Sequence, residues 1–350
     1  MKRQYYLDSL KAFAIIMVVY CHYPFLTEKS FIGNIFMLIA WSAVPIFMMV
    51  SGNVMNRKKH KLINIVSKII KMYITICAWR IIYFALTYFF VKRLEINILS
   101  IINFIFTFEN YPGVNADVMW YMISYLGILM ILPIINCLNS NKDGRAILEY
   151  LLVICLVFGN LFPTIQYFVK NSYLNNYLGF LSISKLMSIP SIKNIHLLSY
   201  YLLGVLVEEF YQRLGKHKVY IPICLVTIGF LGLLLDKYMQ DGTLLFVNRS
   251  LLDGGYYRLS TMCLAVGLYL MFFKYSIKMN SFNCFISKII GQNTLGIYYL
   301  HFIILAMIAP YLYMYNSFII NVLKTIVVTL VCCLITMIMK KIPFLRELVR

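Results

Sequence analysis

The feature that most limits what this chain can become is a series of ten long apolar runs, at residues 7–27, 32–54, 69–91, 117–138, 146–164, 195–212, 219–236, 251–273, 287–310 and 317–339. An α-helix crosses a bilayer with about 20 mostly apolar residues, and each run is close to that length. With 61% hydrophobic and only 13% charged residues, the 350-residue chain has too little polar surface to cover a water-soluble globule. Its mean hydropathy of +0.79 also excludes disorder, which goes with few apolar residues and high charge. The expected fold is an all-α integral membrane protein of about ten transmembrane helices. A single polytopic domain is expected over residues 1–350, since neither end carries a soluble extension and no internal repeat is visible.

The formal net charge of +19 raises the question of nucleic acid, and the placement of the charges answers it. The basic residues stand in short clusters between apolar runs, the pattern that orients membrane helices, rather than over one folded face. Twenty of the 32 fall on one side of the expected spans and eight on the other, which predicts that both termini are cytoplasmic. The nine cysteines are scattered without a C-x-x-C pair, so no metal site is expected and they read as small core residues. Residues 98–110 are apolar but too short to cross, and predict an interfacial or re-entrant helix. Residues 165–194, with Tyr167, Tyr173, Tyr177 and several Asn, have an interfacial composition.

Ionisable groups inside spans are costly and mark candidate sites. The first run holds Asp8, Lys11 and His22. Eleven residues at 100° each make three turns plus about 20°, so Lys11 and His22 share one face, roughly 16 Å apart along the axis. Asp8, three residues before Lys11, is within pairing distance. Snorkelling at the headgroups explains Asp8 and Lys11 equally well. An imidazole turned to lipid would be poorly satisfied, so His22 reads as either a hydrogen-bonded core residue or a proton acceptor. His301 lies at a similar depth in its own run, roughly 20 Å from the cytoplasmic face. Arg80, near mid-membrane, requires an anionic or carbonyl partner. Trp120, near the outer interface, reads as an anchor or a sugar-stacking ring.

The stretch from Tyr6 to His22, with Lys11 and His22 separated by ten residues, resembles the opening helix of the membrane-bound acyltransferase type 3 family. Val44-Pro-Ile-Phe-Met-Met-Val-Ser-Gly52, Met119-Trp-Tyr-Met122, Leu202-Leu-Gly204 and Leu295-Gly-Ile-Tyr-Tyr-Leu-His301 resemble further elements of that family in the same order. Lys11 stands where the family more often has arginine. The basic entrance to the third span, Arg57, Lys58, Lys59, Lys61, Lys68 and Lys71, lacks the family's closing proline.

The resemblance implies an O-acyltransferase of the bacterial cytoplasmic membrane. It would move an acyl group, usually acetyl, from acyl-coenzyme A to a hydroxyl of a cell-surface glycan or its lipid-linked precursor. His22 would be the general base, with Lys11 and Asp8 beside it in the catalytic set. Lys11, Arg57, Lys58, Lys68, Lys71 and Arg80 would bind the donor, and His301, Tyr298 and Trp120 the acceptor. Acyl-coenzyme A enters as a substrate, with no tightly bound cofactor or metal expected. The other partners are the bilayer and the acceptor, with self-association left open and nucleic acid excluded. The alternative from the same polar interior is an exporter or flippase of a glycan or lipid-linked precursor.

Overall fold

A computed structural model describes residues 4–22, 31–57, 61–91, 93–172, 195–215, 220–241, 255–275, 281–312 and 317–349. Among them the chain is an assembly of α-helices with no strand beyond an isolated bridge between Tyr111 and Val114. The helices are α1 (Tyr5–Cys21), α2 (Phe31–Ala40), α3 (Ala43–Asn56), α4 (Leu62–Leu86), α5 (Ile98–Ile102), α6 (Trp120–Leu138) and α7 (Lys142–Leu156). They continue with α8 (Phe162–Lys170), α9 (Ile195–Arg213), α10 (Ile221–Asp241), α11 (Leu259–Tyr275), α12 (Ser281–Leu312), α13 (Phe318–Met339) and α14 (Pro343–Leu348). Seven stretches are long and apolar enough to cross a membrane: Phe31–Asn56, Leu62–Val91, Asp117–Leu138, Lys142–Lys170, Ile221–Gln240, Phe285–Ile308 and Phe318–Met339. The other three expected spans are also helical, as α1, α9 and α11. Of these, α1 and α11 are only 17 residues long, and α9 carries Glu208, Glu209 and Arg213 near its end. This is an all-α, multi-pass membrane protein.

Several boundaries differ from the sequence expectation, each for a local reason. The run at 32–54 is broken at Trp41–Ser42. Pro45 has no N–H to give the carbonyl four residues back, and its ring collides with that carbonyl, so the helix restarts at Ala43. Ser42 Oγ donates to the Ile39 carbonyl at 2.7 Å and satisfies one of the groups left over. The run at 7–27 stops as helix at Cys21, with His22 as its C-cap. Pro24 in the sequence cannot continue a helix. The rest of that run, 23–27, lies outside the described residues, as do 173–194 of the segment expected at the interface. Residues 98–107 do form a short helix, whose second half, Asn103–Thr107, is a wider π turn.

The opening helix is the axis of the bundle. It packs against α2, α3, α11, α12 and α13, and most of its residues from Tyr6 to Tyr20 are buried, with Lys11, Phe13, Ile16 and Met17 half-buried. Beyond Lys11 the helix is apolar on every side, which is what a central position requires. Lipid removes most of the hydrophobic drive between helices, so close backbone approach and hydrogen bonds must hold them. The contact between α3 and α9 shows how. A Cβ on Gly52 would overlap the Tyr201 carbonyl, and one on Gly204 would overlap the Met49 carbonyl. Ser51-Gly52 and Leu203-Gly204 are thus two halves of one helix crossing. Gly291 of α12 lies in the same way against the Asp8 carbonyl of α1.

Candidate active site

The two ends of α1 differ in chemistry. At its start lie the basic residues and their partners, here called the basic end. At its finish lies His22, here the histidine end. His22 and His301 face each other there, ring centroids 5.1 Å apart and inclined at 38°. His301 is fully buried, and its Nδ1 is 3.1 Å from the Ile297 carbonyl one turn back in α12. A carbonyl only accepts, so Nδ1 carries the hydrogen and Nε2 carries the lone pair. That Nε2 is buried without a hydrogen-bond partner among the described residues. An unsatisfied acceptor at this depth is expensive unless something arrives to use it.

Aromatic rings wall the histidine end. Tyr298 packs 6.0 Å from His301 and 5.8 Å from Tyr121. Its hydroxyl donates to the Val118 carbonyl, so the ring, not the hydroxyl, faces the pair. Phe302 meets His22 edge-on at 5.9 Å. Trp120 lies 5.2 Å from Tyr256, and Trp41 4.6 Å from the same ring on another side. Gly255 allows this arrangement, because a Cβ there would run into the Trp41 indole. Trp41, Tyr256 and Phe302 come from three separate segments and had no sequence signal as site residues. The nearest hint for Trp41 was its place just before the Pro45 break.

At the basic end Lys11 and Asp8 form an ion pair of 2.9 Å on α1, one turn apart. Lys340, the C-cap of α13, comes to the same corner, donating to the Gln292 carbonyl and Asn293 Oδ1, each at 2.7 Å. Beside them Arg57 is bound into a network joining four helices. It pairs with Glu208 at 2.7 Å and donates from Nε to Asn53 Oδ1 at 2.6 Å and from its other end to the Tyr6 hydroxyl at 3.1 Å. Glu208 also accepts from Asn53 and Tyr269, both at 2.8 Å, and from Tyr6. Lys68, half-buried on α4, donates to Met55 Sδ at 3.0 Å and the Tyr125 hydroxyl at 3.4 Å, neither of them anionic.

The remaining expected donor residues do not converge here. Lys71 is exposed on α4, and Lys58 lies outside the described residues. Arg80 stands twelve residues beyond Lys68, about 18 Å along the helix. Its guanidinium donates to the Phe104 and Glu109 carbonyls and lies 4.0 Å over the Phe104 ring. The Phe104 carbonyl belongs to the last turn of the short helix at 98–107, and the Glu109 carbonyl lies just past its end, where Phe108 takes a left-handed φ of 65°. A helix end presents unsatisfied carbonyls and the negative pole of its dipole. Arg80 supplies the missing donors and neutralises that pole, which is the carbonyl partner its depth demanded.

The chain therefore combines a central helix with an ion pair at one end and, at the other, a histidine pair with one nitrogen unpartnered among the described residues, inside a membrane bundle. No curated protein and no solved structure matches it. The family model described as an acyltransferase domain matches residues 4–338, nearly the whole chain. The protein belongs to that family and is a membrane-embedded acyltransferase.

Proposed function

We propose that this protein transfers an acyl group, acetyl being the expected one, from cytoplasmic acyl-coenzyme A to a hydroxyl of a cell-surface glycan or its lipid-linked precursor, in the bacterial cytoplasmic membrane with both termini inside. The observation that carries the proposal is the His22–His301 pair, in which an imidazole closing the central helix faces a second one whose Nε2 has no partner among the described residues. The donor's phosphates meet Lys11 and Lys68 at the basic end, with Asp8 orienting Lys11, and its flexible arm runs along α1 to bring the thioester beside His22.

There the acceptor oxygen attacks the thioester carbonyl while His22 takes the hydroxyl proton. The tetrahedral centre collapses, the carbon–sulfur bond breaks, and the imidazolium returns the proton to the departing sulfur. The products are an ester and free coenzyme A, with no acyl-enzyme formed. His22 is suited to this by position as well as by type. The last carbonyls of α1 point toward it, and the negative pole of a helix favours the imidazolium that exists between the two proton transfers. His301, through Nε2, accepts a hydrogen bond from the incoming hydroxyl or from the His22 N–H. The rings of Trp120, Trp41 and Tyr256 form a platform for a sugar face at the acceptor's side.

Two measurements test the proposal. Acetyl-coenzyme A at millimolar concentration is expected to raise the melting temperature of the purified protein, because a ligand of the folded state stabilises it. Mass spectrometry of surface glycans from cells with and without the gene is expected to differ by one acetyl mass. No thermal shift together with identical glycans would leave the exporter as the better reading.

A further inference from the structure

Phe302 follows His301 on α12 and separates two spaces. One edge of its ring meets the His22 imidazole, the two planes being nearly perpendicular at 85°. The same residue lines a cleft between the distal parts of α4 and α12, together with Tyr83, Leu86, Phe90, Ala306 and Met307. Toward the basic end the two helices are fastened. The Tyr83 hydroxyl donates to the Tyr299 carbonyl at 2.9 Å, and Trp79 stacks on the Tyr299 ring at 4.9 Å. The cleft opens beyond that fastening, where α4 widens into the π turn Thr87–Val91. Its walls are mostly apolar, with Thr87 and Asn115 the polar exceptions, which suits hydrocarbon better than a sugar or a nucleotide.

We infer that Phe302 is the wall that limits the length of the transferred acyl chain, an inference that rests on the acyl-transfer reading above. The reacting carbonyl carbon has three directions to satisfy. Its sulfur lies toward the basic end, from which the donor arrives, and the attacking oxygen comes from the aromatic platform of Trp41, Trp120 and Tyr256. The alkyl substituent is left with the remaining side of His22, which is the Phe302 ring. A methyl ends against that ring, whereas a longer chain collides with it and reaches the cleft only once the ring is removed. Phe302 is thus a specificity-determining residue, and the cleft behind it is a latent acyl pocket.

The test compares the affinities of full-length purified protein for hexanoyl- and acetyl-coenzyme A by titration calorimetry, in the parent and in Phe302→Ala. Pockets discriminate roughly 10–200-fold per methylene. The hexanoyl-to-acetyl affinity ratio is therefore expected to rise at least about tenfold in Phe302→Ala. Adding Ala306→Phe, which refills the cleft, is expected to reverse the gain. Phe302→Leu gives a smaller shift in the same direction and serves if the alanine variant does not fold. A ratio that stays the same in both Phe302 variants while acetyl-coenzyme A still binds overturns the wall. So does a gain that Ala306→Phe leaves intact, since the chain then lies elsewhere. A parent protein that binds neither donor overturns the acyl-coenzyme A reading itself.

Discussion

The two ends of α1 handle buried polarity in opposite ways. At the basic end most charges are answered: Glu208 has four donors around it, Lys11 has Asp8, and Lys340 has a carbonyl and an amide oxygen, while Lys68 meets only the neutral Met55 and Tyr125. At the histidine end a fully buried nitrogen has no partner among the described residues, and its neighbours are rings. Polar groups that satisfy one another hold helices in register, and a polar group left open among rigid apolar walls is prepared for a ligand. The Arg57–Glu208 network is accordingly read as the frame, and the His22–His301 pair as the place where chemistry is done.

The contrast is broken most directly at His22. His22→Ala removes the proposed proton acceptor without touching the frame. It is expected to lower acyl transfer about 10²–10⁴-fold, the range of a lost general base. Its melting temperature should stay near that of the parent. Full turnover in that variant, measured with labelled acetyl-coenzyme A, would remove His22 from the mechanism.

The opposite substitution lies in the frame. Glu208→Ala strips the common acceptor from Tyr6, Asn53, Arg57 and Tyr269 and leaves the guanidinium without its counter-charge. Breaking a fully buried pair from one side destabilises by about 3–5 kcal/mol, and this pair, with Arg57 30% and Glu208 16% exposed, should cost less. A marked fall in melting temperature in detergent is expected, and a parent-like melting curve would show that the network is dispensable. His301→Gln comes next in size. It keeps an acceptor near Nε2 but loses the ring contact with His22, and is expected to lower the transfer rate about tenfold, the equivalent of one hydrogen bond. Donor KM should stay put, because His301 lies far from the basic end. A change confined to KM would place His301 with the donor instead.

How much of this was legible before folding depended on whether a partner was near in sequence. Lys11 and His22 share a face because helical periodicity says so, and the Asp8–Lys11 pair needs only a spacing of three. The break at Trp41 and the helix end at Cys21 departed from the unbroken runs expected at 32–54 and 7–27, although Pro45 and Pro24 stand in the sequence. What periodicity cannot carry is contact between distant segments. Glu208 reads locally as a headgroup-facing residue near Arg213, yet it answers Arg57 from another helix. The sequence left Arg80 either an anionic or a carbonyl partner, because the carbonyls it meets belong to a short helix and the chain just past it, whose position depends on the whole bundle. Trp41, Tyr256 and Phe302 are ordinary apolar residues in any window of sequence, and only the assembled helices turn them into walls.

The smallest expected effect tests whether the basic end is frame alone. Lys11 is the cation nearest α1's axis there, but its side chain is about a quarter exposed at 27%, so its bond to Asp8 contributes no more than about 1 kcal/mol to stability. Lys11→Gln should therefore melt close to the parent. If Lys11 also holds a donor phosphate, the substitution raises KM for acyl-coenzyme A by about fivefold with kcat unchanged, the mark of binding lost equally from ground and transition states. Lys11→Arg keeps the charge and should restore most of the affinity, and added salt should narrow the gap between parent and Lys11→Gln by screening the parent's advantage. A variant that melts lower and binds its donor as the parent does would return Lys11 to the frame. One that melts alike and binds weakly would show that the basic end both braces the bundle and receives the donor.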